Sequence, residues 1–397
     1  MWITNYKKKC VEIEDDVFKD LLSFYPEEKL IHRPKFSEAL GKDSISYRDL
    51  KSEAETLFIP WQMFFLEKTK LETQLKNIEQ NRADRITTSF LSKRSGRSGS
   101  FSARLVDRFI RTQNFLVSNG SFSVNNFNKS LSGLNISEAV KSILSHFTID
   151  MNIFRKQPTV AKAIDYLIAC ISKGNINVAR GTTAHGLMPS TKNHRMLYKN
   201  MSGFCLKDDK VPFIYLSTNE VVGEEAVGRQ VYTLVYLLTL IGLDIYSFAV
   251  NAKSVVRVPN GDARTQLANA ITSELLIPKK ELEIYRGKKI TWDDVKSISL
   301  DFKVTPRAVL FRLKKDVFIT AYEHDLLLNR NPFIPKTQRM NGPRVETSVK
   351  KLSGDLVFNS ANSLTKVGTL RPIQAQIILF GKPDSIKWRE YRTSMGI

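Results

Sequence analysis

The segment Val227–Gly242 (VGRQVYTLVYLLTLIG) puts apolar side chains on nearly every side of a helix. A surface helix carries a single apolar stripe, so this one belongs at the centre of a core with other elements around it. The apolar run Val231–Leu243 stops at Asp244, short of the ~20 apolar residues that a bilayer-spanning helix needs. With 397 residues, 42% of them hydrophobic and 25% charged, the chain is long enough for two or three domains and has a soluble composition.

The flanking sequence supplies what could surround that helix. Ile176-Asn177-Val178 and Val211–Ser217 (VPFIYLS) read as short strands, and Val160–Lys173 as an amphipathic helix. Asp262–Leu276 and Lys279–Tyr285 are helical patterns split by Pro278. Trp292–Phe302 and Pro306–Asp316 form a helix pair around the turn Lys303-Val304-Thr305. Toward the N-terminus the pattern is helical throughout: Val17 to Tyr25, then Ser46 to Leu57, then Trp61 to about Arg82, with Pro26 and Pro60 as breaks. Ser89–Arg104 (SFLSKRSGRSGSFSAR) reads as a flexible basic linker. Helical patterns resume at Leu105–Leu116 and Ser137–Phe147, with a polar loop over Ser118–Ser132 between them. The stretch after Asn331, with five prolines, reads as an irregular or small-helix appendage. The organisation expected is 1–88, an N-terminal helical module; 89–154, basic linker and helices; 155–285, an α+β core; 286–330, a helical module; and 331–397, a basic tail.

Charge is the strongest compositional signal. The net charge is +20, yet residues 1–80 hold 13 Lys+Arg against 15 Asp+Glu, so the excess, +22, lies in residues 81–397. From Asn329 onward there are 12 Lys+Arg against 4 Asp+Glu. A basic surface of that size suits a phosphate backbone or an acidic protein partner. The candidate contacts are Lys93, Arg94, Arg97 and Arg104 in the linker and Arg330, Lys336, Arg339, Arg344, Lys350 and Lys351 in the tail. Such contacts would touch mostly phosphate and confer little sequence preference. Cys10, Cys170 and Cys205 are too few and scattered for a disulfide framework or a cysteine zinc site. No apolar leader follows Lys7-Lys8-Lys9, so a cytoplasmic location is expected, with no membrane partner.

Two blocks carry a resemblance. Met201-Ser202-Gly203-Phe204-Cys205-Leu206, then Asp208, then Val211-Pro212-Phe213-Ile214-Tyr215 is similar to the strand signature that precedes the catalytic helix in the ImmA/IrrE zinc peptidases. Ala268-Asn269-Ala270-Ile271-Thr272-Ser273-Glu274-Leu275-Leu276-Ile277-Pro278 is similar to that family's Ala-Asn-x-Phe-Ala-x-Glu-Leu-Leu-Met-Pro segment. Leu300 to Val309 resembles the helix-turn-helix-like unit that follows the peptidase core, and Ile45 to Phe65 the last helices of a repressor-type module. The resemblance spans most of residues 40–320 and implies a mainly α-helical α+β fold with a small sheet, built as a zincin-like core behind an N-terminal repressor-like module.

The family's catalytic helix carries H-E-x-x-H because His at i and i+4 face one way to hold zinc, beside a Glu that acts as general base. In the matching helix Tyr236 and Leu240 stand where the His residues belong and Leu237 where the Glu belongs; Thr265 stands at the third ligand. His185 and His194 do not have zinc-ligand spacing on one helix face, and Glu224 and Glu225 read as favourable charges at a helix N-terminus. No catalytic residue, metal or cofactor is therefore expected. Members of the family sit in mobile elements, prophages and stress loci and work with repressor-type partners, some long members pairing with a small antitoxin. The resemblance implies a non-catalytic effector or regulator of a toxin–antitoxin or phage-defence locus that binds nucleic acid or an acidic protein such as an antitoxin or repressor. The alternatives are a DNA-binding transcriptional regulator and an enzyme whose site carries no recognisable motif, since no P-loop, nucleophile elbow or dinucleotide fingerprint appears.

Overall fold

The computed structural model describes residues 2–6, 9–24, 35, 38, 42, 44–56, 59–87, 97–181, 201–218, 227–250, 263–330, 345–381 and 384–396. The fold is mainly helical with a small mixed four-stranded sheet, an α+β arrangement.

The N-terminal module is less purely helical than its sequence suggests. β1 (Trp2–Tyr6) and β2 (Lys9–Ile13) form an antiparallel hairpin, and β3 (Ser44–Ser46) runs parallel to β1. These strands are too short to declare a period of two, which is why only the helices were legible. α1 (Asp15–Phe24) buries Val17, Phe18, Leu21 and Leu22, spaced for one face. α2 (Tyr47–Thr56) follows β3, and the helix expected from Trp61 onward divides. Trp61–Phe65 is a 3-10 turn that buries Met63 and Phe64, and α3 (Lys68–Arg85) begins after it.

α4 (Arg97–Asn119) corrects the extent of the basic linker, because Arg97 and Arg104 belong to a helix. Its apolar side chains Leu105, Val106, Phe109 and Ile110 are buried against strand residues Phe204, Phe213 and Tyr215. Arg82 and Asp107 join α3 to α4 through two bonds of 2.6 Å. A helix nucleated by that packing propagates back through Ser and Gly, which alone would not start one.

At the centre, α7 (Val160–Lys173) leads into β4 (Asn177–Gly181), β5 (Met201–Leu206) and β6 (Phe213–Ser217). α8 (Val227–Gly242), β7 (Phe248–Val250) and α9 (Ala263–Leu276) complete the set. The strand order is β4-β6-β5-β7, with β4 parallel to β6 and β5 antiparallel to both its neighbours. The all-apolar α8 is central as expected, packed against α7, α9, β5 and β6. Asp208 closes the β5–β6 turn by accepting from the amides of Lys210 (2.8 Å) and Val211 (2.9 Å), while Arg85 of α3 pairs with its other oxygen.

The core does not stop at residue 285. α5 (Ile136–His146) and α6 (Met151–Arg155) precede it; α10 (Lys279–Leu282), α11 (Trp292–Asp301), α12 (Pro306–Lys315) and α13 (Ala321–Asn329) follow. Val295, Ile298, Val309, Leu310, Leu313 and Leu327 lie in the same continuous cluster as Phe127, Leu167, Leu237 and Ile271. Thr291, Thr305 and Thr320 each cap the helix that follows, accepting from the amide three residues on.

The C-terminal stretch is more ordered than its prolines suggest. α14 (Val345–Ser353), α15 (Asp355–Lys366), α16 (Pro372–Phe380) and α17 (Ser385–Met395) share a core of Phe380, Trp388 and Tyr391. Pro372 opens α16, the first-turn position where its missing N–H costs nothing. Pro332, Pro335, Pro343 and Pro383 lie outside the described residues. No helix among the described residues is long and apolar enough to cross a membrane.

Candidate functional site

The positions that the resemblance sets against a peptidase centre, Tyr236, Leu237, Leu240 and Thr265, sit on α8 and α9. These helices run antiparallel: the Tyr232 hydroxyl lies 3.0 Å from Ser273 Oγ, while Arg264, at the start of α9, donates to the Leu243 carbonyl just past the end of α8. Tyr236 and Leu240 are one and two turns beyond Tyr232, on the way to the end of α8 that meets the start of α9, where Thr265 is placed. The tertiary structure thus carries the four positions to a common helix pair.

The chemistry at those positions is apolar. Leu237 and Leu240 are wholly buried in the central cluster. Tyr236 is half-buried, and burial pushes its hydroxyl up to about 12, with Cys205 and Tyr232 nearby adding to the effect. Its neighbour Tyr232 is the tyrosine of α8 with a satisfied hydroxyl, shared between Ser273 and Asn269. Two leucines offer zinc no donor atom, so this residue set does not fit the metal of the resembling family. Among the described residues no group of three or more His, Cys, Asp or Glu gathers to hold a metal ion. His185, His194, Glu224 and Glu225 lie outside the described residues. Arg229, early on α8, donates to Ser202 Oγ at 3.2 Å. Cys205 is inert in character, fully buried with its thiol pushed up to about 12 by burial.

Of the candidate nucleic-acid contacts, Lys93, Arg94, Lys336, Arg339 and Arg344 lie outside the described residues. Arg97 and Arg104 are placed on α4. Arg330 is exposed at the end of α13. Lys350 and Lys351, adjacent in sequence, are both exposed in the last turn of α14, with Lys350 3.6 Å from Asp355.

Sequence reading passed over a second basic feature, in which cations lie on aromatic rings. Arg307 sits over the Phe311 ring at 5.6 Å and Lys296 over Trp292 at 6.0 Å. Arg286 sits over Phe318 at 4.8 Å. The first two pairs have the i, i+4 spacing that brings side chains together on a helix, and that spacing was the available signal. No protein-family model, no characterised protein and no solved structure matches the chain.

Proposed function

We propose that this chain is a non-catalytic relative of the ImmA/IrrE proteins with a zincin-like core, an effector or regulator of a toxin–antitoxin or phage-defence locus that acts by binding nucleic acid. The observation that carries the reading is the complete burial of Leu237 and Leu240 on the central helix α8, where the family would place its general base and second histidine. An empty metal site would leave polar groups to satisfy in the core, whereas leucine packs there and contributes about 2 kcal/mol of burial. Binding is supported by the +22 excess of residues 81–397 and by the exposed Lys350-Lys351 pair.

The three-helix arrangement α11–α13 favours a second reading, a transcriptional regulator. The mode in which the N-terminal residues of a second helix read base edges requires that helix end to be open. Here the turn before α12 lies against α8: a Cβ on Gly228 would come within 2.8 Å of the Val304 carbonyl carbon. Charge-led binding with little sequence preference is therefore the reading retained.

The test is binding of purified, nuclease-treated protein to unrelated DNA and RNA fragments across a salt series. Affinity that falls steeply with salt supports a phosphate-contacting surface. Lys350→Glu with Lys351→Glu should weaken binding to every fragment alike. Weak binding at low salt would refute the nucleic-acid reading and point to an acidic protein.

A further inference from the structure

We propose that α11–α13 form a stacking surface for single-stranded nucleic acid, centred on Tyr322 and Phe311. The proposal rests on the reading that the chain binds nucleic acid, and it names the strand form and the residues.

Large aromatic rings stand open on this unit. Tyr322 is 76% exposed and Phe311 48% exposed, although aromatic side chains usually find cover in a core. The helix turn under Tyr322 and the ring of Phe311 each have named neighbours. Tyr322 lies in the first turn of α13, whose capping box joins Thr320 to Glu323. Phe311 has the Arg307 guanidinium 5.6 Å from its ring centroid and the His324 ring 5.1 Å away. An exposed ring gives a base a face to stack on, and the guanidinium beside it extends that face.

The charge around the rings is mixed, with cations in excess. The acids on α13 are occupied locally: Glu323 accepts from the Thr320 amide at 2.8 Å, and Asp325 lies 2.7 Å from His324 Nδ1. Bonds from Thr320 hold the Glu323 carboxyl below its ordinary range, and Lys289 adds to that; His324 does the same for Asp325, with Lys314 adding. Exposed Lys289, Lys314 and Lys315 form no ion pair among the described residues. Residues 279–316 as a whole hold 11 Lys+Arg against 6 Asp+Glu.

Single strands suit this geometry better than a duplex. The turn before α12 packs against α8, with Thr305 N only 3.0 Å from where a Gly228 Cβ would stand, which narrows the approach of a duplex to that helix end on the α8 side. A flexible strand delivers its bases one at a time to exposed rings, while its phosphates meet the exposed lysines of the unit.

The experiment uses the full chain, with fluorescence anisotropy of labelled oligo-dT and of a mixed-sequence duplex of equal length, each across a salt series. The expected result is tighter binding of the single strand. Tyr322→Ala should weaken oligo-dT binding about tenfold without changing the salt slope, and Tyr322→Phe should keep it. Lys314→Glu with Lys315→Glu should lower the slope itself. Tyr322 is exposed, so its substitutions leave the core intact; a thermal melt checks this. Equal binding of both forms, or an unaffected Tyr322→Ala variant, overturns the stacking surface and leaves the nucleic-acid reading standing. Binding of neither form overturns both, and displacement of oligo-dT by polyglutamate as readily as by unlabelled oligo-dT shows a surface that reads charge alone.

Discussion

Asn177, buried on the edge strand β4, donates from its side-chain amide to the Ser353 carbonyl at 2.8 Å and ties the C-terminal helices to the sheet. Its Oδ1 accepts from the Leu356 amide at 3.2 Å and the Val357 amide at 3.4 Å, which are unpaired first-turn donors of α15. A strand residue far away in sequence thus serves as the N-cap that Gly354 cannot provide. Gly354 itself has φ of 83° and passes so close that a Cβ would fall 2.4 Å from Asn177 Oδ1. Asn177→Ala should cost about 2 kcal/mol, since it removes the cap and orphans a buried carbonyl. Denaturant unfolding measures this, and a variant as stable as the parent would show that the clamp is not what holds the helices.

Rebuilding the absent motif should damage the fold instead of restoring chemistry. Tyr236→His, Leu237→Glu and Leu240→His together would place polar groups where two of the side chains are wholly buried. We expect a loss of more than about 3 kcal/mol and no stoichiometric zinc, with Leu240→Ala alone costing about 3 kcal/mol through its cavity. Thermal unfolding and elemental analysis provide the readout. A stable triple variant holding one zinc per chain would contradict the packing argument.

Arg312 of α12 is a buried cation between two carboxylates. It bonds Glu274 of α9, and its Nε lies 3.0 Å from Asp316. Arg312→Met should cost about 3 kcal/mol because it leaves acids facing each other without their cation. Adding Glu274→Met should recover much of that loss, as an apolar replacement often does. If the single variant unfolds at the parental denaturant concentration, the ion pair contributes nothing to docking α12 on α9.

Alkaline pH should destabilise the chain through its buried tyrosines. Burial pushes the Tyr236 and Tyr391 hydroxyls up to about 12 from an ordinary value of 10.0. A group whose folded value is raised stabilises fully below its unfolded value, and that stability drains as pH rises from there to the folded value. The stability loss should therefore fall between pH ~10 and ~12. Tyr236→Phe, which gives up no hydrogen bond among the described residues, should shrink it; denaturant melts across that range would expose a mistaken assignment if the variant lost stability just as steeply.

Parts of the fold were legible because a local signal matched the tertiary need. The strands over Ile176–Val178 and Val211–Ser217 and the central helix Val227–Gly242 were read from apolar pattern alone, and all three are present. β7 (Phe248–Val250) was not read, because three residues carry no period and its pairing with β5 exists only in the sheet. The candidate site divides the same way. That Leu237 and Leu240 have no donor atom to offer zinc is a statement of residue type, already complete in the sequence.

The sequence by itself determined the helical majority, the apolar centre and the distribution of charge, since propensity, periodicity and net charge are local or additive properties. Tertiary structure decided that residues 290–327 share the core of α8, that Asn177 caps α15, and that Tyr322 stands open. Each depends on which surfaces meet after the chain has folded, and no window of neighbouring residues contains that information.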